Sequence, residues 1–185
     1  MTDDTASGTP SGTVWARGEG VVLRAAKAAL FDGPAIRQAL LDSIERGYSG
    51  DPEQLSATAE CFLIESAGEV VGVLGIERGR PDSDAVAVTT LAIIRKSRGH
   101  AYAARALLVT ERRLVREGAR ALWVRVPRGN GHGLYFVFRC GYAPVTPPPI
   151  EDGATWFRRN PALVPHLPAS TPPAPPAPRP RRVDA

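Results

Sequence analysis

Between Ala85 and Leu108 the chain changes its hydrophobic period once, and this change constrains the fold more than any other feature of the sequence. The run "AVAVTTLAII", Ala85 to Ile94, is apolar and β-branched, long enough for a buried strand. Beyond it Ala104, Leu107, Leu108, Leu114 and Val115 recur at helical spacing, and Arg105, Arg112, Arg113 and Arg116 occupy much of the remaining surface. Gly118 ends that helix. The stretch between them, "RKSRGHAYAARALL", is therefore a strand-to-helix turn. A helix start leaves its first backbone N–H groups without intrahelical partners and carries partial positive charge, and small residues let a ligand come close. Arg98, Gly99, His100 and Ala101 thus suit a phosphate or pyrophosphate. They equally suit a plain turn in which Gly99 permits the bend and the arginines are solvated. The local pattern does not choose between the two.

Around this unit the chain alternates. "GVVLRAA" from Gly20 reads as a short strand, and "DGPAIRQALLDSIERGY" as an amphipathic helix that Asp32 caps, with Pro34 in its first turn. "DPEQLSATA" reads as a second short helix. "ECFLIES" and "EVVGVLGIER" read as strands joined by "AG", a two-residue hairpin signal, and "GRPDSD" as a turn. "ALWVRV" is a strand, "GNGHGLYFVFRCGY" fits helix or strand, and "ATWFRRN" reads as an edge strand. Strands and helices in this order imply a mixed α/β domain with helices on a central sheet, whose ligands favour the carboxyl ends of strands, where Arg98–Ala103 falls.

The ends differ in kind. Residues 1–18 are polar and acidic with little to bury and no apolar leader, and residues 161–185 are dominated by Pro and Ala; both are expected to be disordered, leaving one domain at 19–160. No run is long enough to span a membrane, so a membrane partner is not expected. From Arg95 to Arg128 ten Lys or Arg face two Glu. Such a stripe can serve nucleic acid or a smaller polyanion such as a nucleotide cofactor, or be the solvated face of one helix; no nucleic-acid-binding motif accompanies it, so no nucleic-acid partner is expected. Cys61 and Cys140 lie far apart without ligand-like neighbours, which argues against a metal site; two reduced, buried thiols in a cytoplasmic protein is the simpler reading, and one disulfide is the alternative.

The order of elements together with "LAIIRKSRGHAYAARALL" resembles the GNAT N-acetyltransferase family over roughly residues 19–160. That family's cofactor motif is Arg or Gln, two residues, Gly, one residue, then Gly or Ala. Here its Arg falls on Arg98, its central Gly on Ala101 and its last position on Ala103, while the preceding Leu-x-Val falls on Leu91 and Ile93. Asn130 and the pair Gly141–Tyr142 match further features of the family downstream. The resemblance implies a GNAT-like acyl-CoA N-acyltransferase fold: a central twisted, mostly antiparallel sheet with helices on both faces. It implies acetyl-CoA as acyl donor, held at Arg98, Gly99, His100, Ala101, Tyr102 and Ala103, along Leu91, Ala92 and Ile93, and at Asn130. A backbone N–H near Leu91 to Ile93 is the implied oxyanion donor, and the acceptor is a primary amine, on a small molecule or a peptide, that attacks the thioester directly. A homodimer stays open.

The departures from the family pattern are specific. Ala101 stands where the motif has glycine, and Arg95 where the strand ends in proline. The family's frequent general acid, a Tyr seven residues past the Asn, falls on Val137; Tyr135 is two residues earlier, roughly on the opposite side of a helix, and Tyr142 lies beyond it. The expected Tyr is thus missing or displaced: Tyr142 is the candidate acid, with water, His132 or no group at all as the alternatives. Glu77 is the candidate base, since the Ala85–Ile94 strand carries no carboxylate; Asp82 and Asp84 read as exposed turn residues. Thr89 and Thr90 either orient a water or are ordinary strand threonines. The absence of the expected Tyr leaves a second reading beside the enzymatic one, a degenerate domain that binds acyl-CoA or a protein partner without turnover.

Overall fold

The computed structural model describes residues 12–27, 33–44 and 59–165. Strands form where apolar stretches are separated by residues that tolerate a reversal. β1 (Val14–Gly18) and β2 (Val21–Ala26) make a hairpin through Glu19 and Gly20. β3 (Glu60–Ser66) and β4 (Glu69–Arg78) make another through Ala67 and Gly68, whose φ angles of 51 and 84° fit the predicted two-residue turn. α1 (Pro34–Ile44) lies between the hairpins in sequence and starts at a proline, as expected; Asp32 and most of the predicted second helix lie outside the described residues. β5 (Ala85–Ile93) leads through a 3₁₀ turn at Arg95–Ser97 into α2 (Tyr102–Arg116). β6 (Ala121–Pro127), α3 (Gly131–Arg139), β7 (Ala143–Pro144) and β8 (Ala154–Arg159) complete the unit.

The strands form one sheet in the order β1-β2-β3-β4-β5-β6-β8-β7. Among the described residues every pairing is antiparallel except β5–β6. Helices cover both faces. α2 packs Ala106, Leu107, Val109 and Leu114 onto Leu23, Leu74, Ile76 and Val86, and α3 adds Val137 to the same cluster. α1 packs Ile36, Ala39 and Leu40 onto the other face, against Val73, Ala92 and Ile94. The mixed α/β sheet expected from the sequence is present.

Three expectations are corrected. Residues 14–18 are a strand and not a disordered end: Ala16 is buried and Trp15 stacks on Phe62 with ring centroids 4.3 Å apart. β8 is not an edge strand, because the two-residue β7 pairs with its outer side. The domain also continues past residue 160. Val164 is 2% exposed within the main core, and the carbonyls of Leu163 and Pro165 accept hydrogen bonds from Arg159 and Arg112. The remaining residues predicted to be disordered, 1–11 and 166–185, lie outside the described ones.

Candidate active site

The site begins with a parting of strands. β5 and β6 pair in parallel only from Ala85–Val88 with Ala121–Val124. Beyond that point β5 stays with β4 as far as Ile93, while Arg125 to Pro127 of β6 pair only with β8. A bulge sits at the fork. Gly75 lies opposite Thr90 and Ile76 opposite Val88, so Thr89 is an extra residue on β5. Bulges add twist and turn a strand away from its neighbour.

The fork leaves main-chain groups without a neighbouring strand. The N–H of Ile94 donates to Val71 O on β4 at 2.9 Å. Strand alternation then directs the N–H of Ala92 and Thr90 to β4 as well, and those of Leu91 and Ile93 into the gap. Arg98 Nε donates to Ile93 O at 3.1 Å, which places that carbonyl on the gap side. Of the three strand positions expected to meet the donor, Leu91 and Ile93 thus offer main chain to the gap. Ala92 lines it from a side chain packed under α1. The gap is a cleft of about 320 Å³ running through the sheet. Arg98, Ala103, Asn130 and Val137 line it on the side of α2 and α3, and Ala39, Leu40, Thr90 and Arg125 belong to the side of α1.

At the α2 end of the cleft lies the turn. Gly99 has φ 86° and Ala101 has φ 58°, ψ 15°, a left-handed conformation in which Ala101 is the N-cap of α2. The motif position that favours glycine is therefore one where positive φ is required, and alanine there costs about 1 kcal/mol. No side chain caps α2, and its first turn holds no acidic residue. Of the turn, Arg98 and Ala103 line the cleft, while Gly99, His100, Ala101 and Tyr102 are not among its lining residues; the open amide end of this helix beside them suits an anion. His100 is exposed and turned back on the turn itself, with Nδ1 3.0 Å from Arg98 O and the ring stacked on Tyr102. Tyr102 forms the start of the helix and is half-buried.

The opposite wall is α3. Its start is decided by Asn130, whose side-chain oxygen accepts from the Gly133 N–H at 2.9 Å. A Cβ on Gly133 would lie 3.0 Å from Val126, so the glycine that weakens the helix also lets it sit close to β6. Asn130 both caps the helix and lines the cleft. Val137 is 2% exposed and lines the same cleft, so the position where a general acid is expected holds an apolar side chain. Tyr135 is 64% exposed and accepts a hydrogen bond from Arg139.

Neither catalytic candidate lines the cleft. Tyr142 is buried under α2, hydrogen-bonded to Glu111 and stacked below the Arg159 guanidinium. Burial first, and the Glu111 charge second, push its phenol well above the ordinary range. Glu111, 1% exposed, receives Arg159 Nη1 on both oxygens at 3.1 and 3.0 Å; burial still raises its pKa, against the opposing effects of Tyr142 and Arg159. The Cys140 thiol is pushed up to about 11 by burial and by Glu111. Glu77 sits on the opposite face of the sheet, bonded to Arg80 at 2.7 Å. Arg80 also reaches Asp152, which Arg125 holds at 2.7 Å. Burial alone would raise the Asp152 carboxyl, but the bond and charge of Arg125 outweigh it and hold it low. Arg125 is a cleft residue that the sequence reading did not single out; the signal was a charged residue between the inward-facing Val124 and Val126 of an apolar strand.

Both cysteines are free thiols. Among the described residues no group of His, Cys, Asp or Glu is arranged to hold a metal ion, and no helix is long and apolar enough to cross a membrane.

Comparison with known proteins adds a family and a fold. The family model described as Acetyltransferase (GNAT) family matches residues 33–142. The structure is similar to that of an acetyltransferase from Agrobacterium tumefaciens, with 20% identity and a TM-score of 0.61 over 78% of this chain and 92% of the other. It is also similar to an acetyltransferase from Thermus thermophilus, with 18% identity, a TM-score of 0.56, and 76% and 96% of the two chains covered. A third likeness is to a GNAT family acetyltransferase from Elizabethkingia anophelis with acetyl-CoA bound, at 14% identity and a TM-score of 0.57, covering 77% and 99%. No curated protein matches the sequence.

Proposed function

From the premise that this chain belongs to the GNAT acetyltransferase family, we propose that it transfers an acetyl group from acetyl-CoA to a primary amine by direct attack. The observation that carries the reading is the fork itself: β5 and β6 part after Val88 and Val124, and the uncapped start of α2 stands at one end of the gap. The diphosphate of the cofactor would lie on the Gly99–Ala103 amides, with Arg98 beside it. Its pantetheine amides would meet the main chain of Leu91 and Ile93 as a missing strand would. The acyl oxygen would accept one of those N–H groups, which stabilises the charge that develops on attack. The amine would enter from the α1 side, past Thr90 and Arg125, and the acceptor is a small molecule or a peptide. The two free thiols fit a reducing cytoplasm.

A second reading has its own observation. Val137 fills the expected acid position, Tyr142 is bound to Glu111, and Tyr135 faces solvent. A domain that binds acyl-CoA without turnover would look the same. One experiment separates the two: titrate acetyl-CoA by thermal shift, then follow thiol release across a panel of amines. At a hundred times its dissociation constant the cofactor stabilises the fold by about 2.7 kcal/mol. Stabilisation with thiol release supports transfer; stabilisation without thiol release for any amine leaves the binding-only reading; absence of stabilisation at millimolar acetyl-CoA removes both. Transfer can proceed without a dedicated acid, because a thiol of pKa about 8.5 is a tolerable leaving group, so slow turnover is the expected result.

A further inference from the structure

The bulge puts two adjacent hydroxyls at the point where the strands separate. Thr89 and Thr90 both line the cleft. Their Oγ1 atoms are buried, and neither has a hydrogen-bond partner among the described residues. Most buried strand threonines bond a main-chain carbonyl or a neighbour, and an unbonded hydroxyl in the interior is costly. Two side by side, in the only extra residue of β5 and its neighbour, call for a reason.

The surroundings supply one. Gly75 lies opposite Thr90, and a Cβ there would come within 3.4 Å of Thr90 Oγ1, so the glycine keeps the space beside that hydroxyl open. The next residue, Leu91, directs its N–H into the gap. A nitrogen attacking a carbonyl held by that N–H from the α1 side passes the Thr90 hydroxyl. Among the described residues that line the cleft none is a carboxylate, and on that side Thr90, with Thr89 beside it, and Arg125 are the described side chains able to meet a polar acceptor.

We propose that the hydroxyls of Thr89 and Thr90 hold the attacking amine, accepting hydrogen bonds from its N–H groups and aiming its lone pair at the acyl carbon. The inference rests on the transfer reading above. In the step they assist, the nitrogen lone pair forms the C–N bond and the C–S electron pair leaves with sulfur. The nitrogen gives up one proton and the sulfur takes one, so the products are the amide and the CoA thiol. The threonines end the step as they began it, because a hydroxyl of this kind does not titrate in the working range.

The test compares Thr89→Val, Thr90→Val and the double substitution with Thr90→Ser. Valine keeps the shape and removes the hydroxyl; serine keeps the hydroxyl. With a turned-over amine, the double variant loses about tenfold in kcat/KM for the amine, from two hydrogen bonds each worth a few-fold. The dissociation constant for acetyl-CoA stays within twofold, the pH profile keeps its shape, and the cofactor-free melting temperature stays level or rises because an unbonded polar group has been removed. Thr90→Ser keeps most of the rate. Unchanged amine kinetics in the double variant, or a loss traced to weaker acetyl-CoA binding, overturns the proposal while leaving the transfer reading intact. A wild-type protein that binds acetyl-CoA and acetylates no amine overturns both, and that outcome is visible before any variant is made.

Discussion

The two walls of the cleft are built from different material. The β5–α2 wall acts through its backbone: the main chain of Leu91 and Ile93, a left-handed pair at Gly99 and Ala101, and the open end of a helix. The α3 wall and the segment after it act through side chains, and those are committed elsewhere. Tyr142, Glu111 and Arg159 bond one another in the core, and Val137 simply packs. Backbone recognition needs only that small residues stand in the right places, whereas proton transfer needs one particular group at one point. A chain can therefore keep the first while losing the second, and this difference is what the competing readings of its function turn on.

The comparison can be broken at either wall. The largest effect should come from Arg159→Ala, which strands the Glu111 carboxylate in the core. A loss of about 3–5 kcal/mol in urea denaturation is expected, with acetyl-CoA affinity changed less than twofold if the variant is studied below its transition. The deficit shrinks in acid. Glu111 already has a raised pKa in the folded state, so its protonated form favours folding, and losing Arg159 strengthens that preference. A loss of cofactor affinity matching the loss of stability would show that the walls are not independent.

Next is the turn. Ala101→Glu and Gly99→Asp put a carboxylate where a diphosphate should lie, and each should weaken acetyl-CoA at least about a hundredfold, or about 2.7 kcal/mol. The fold should survive: a Cβ at Gly99 meets nothing within 4 Å, and a side chain at its φ of 86° adds strain of about 1–2 kcal/mol. Calorimetric titration checks this, and wild-type affinity would place the cofactor elsewhere. Comparable in size is the effect of where the chain is cut. Ending it after residue 165 should leave the melting temperature unchanged, whereas ending it after 160 removes buried Val164 and costs about 1.5–3 kcal/mol. Tyr142→Phe should cost about 1 kcal/mol of stability and little turnover; a hundredfold fall in turnover with binding unchanged would make Tyr142 the acid after all. Smallest is Ala101→Gly. It relieves a left-handed alanine but loosens the unfolded chain, and the two nearly cancel to within about 1 kcal/mol.

The contrast also explains what could be read from the sequence. Strands bounded by turn chemistry were legible, as at Ala67–Gly68, because the turn residues announce the reversal locally. The strand-to-helix turn before α2 was legible for the same reason: Gly99 and the small residues at 101 and 103 are themselves the feature. β1 was not, because its inward side offers little more than Trp15 and Ala16 inside a polar stretch, and its pairing with β2 is what makes it a strand. β8 looked like an edge because its cover, β7, is two residues long and has no period. The α3 segment was ambiguous until Asn130 capped it and Gly133 fitted against Val126. Glu77 and Tyr142 were chosen by residue type, and only the tertiary arrangement reveals that Arg80 and Glu111 already occupy them.

The fork has one more consequence. Past Val88 the sheet contains an inner margin, a row of donors and acceptors of the sort that invites foreign strands at an exposed sheet border. Here the border is closed at one end by the surviving β5–β6 ladder, so an extended guest could pair over only a few residues. Because the row is peptide backbone, only proline or a change of register can erase it. Most substitutions at Leu91 or Ile93 leave it standing, which gives this part of the site a tolerance to sequence drift that no arrangement of side chains could match.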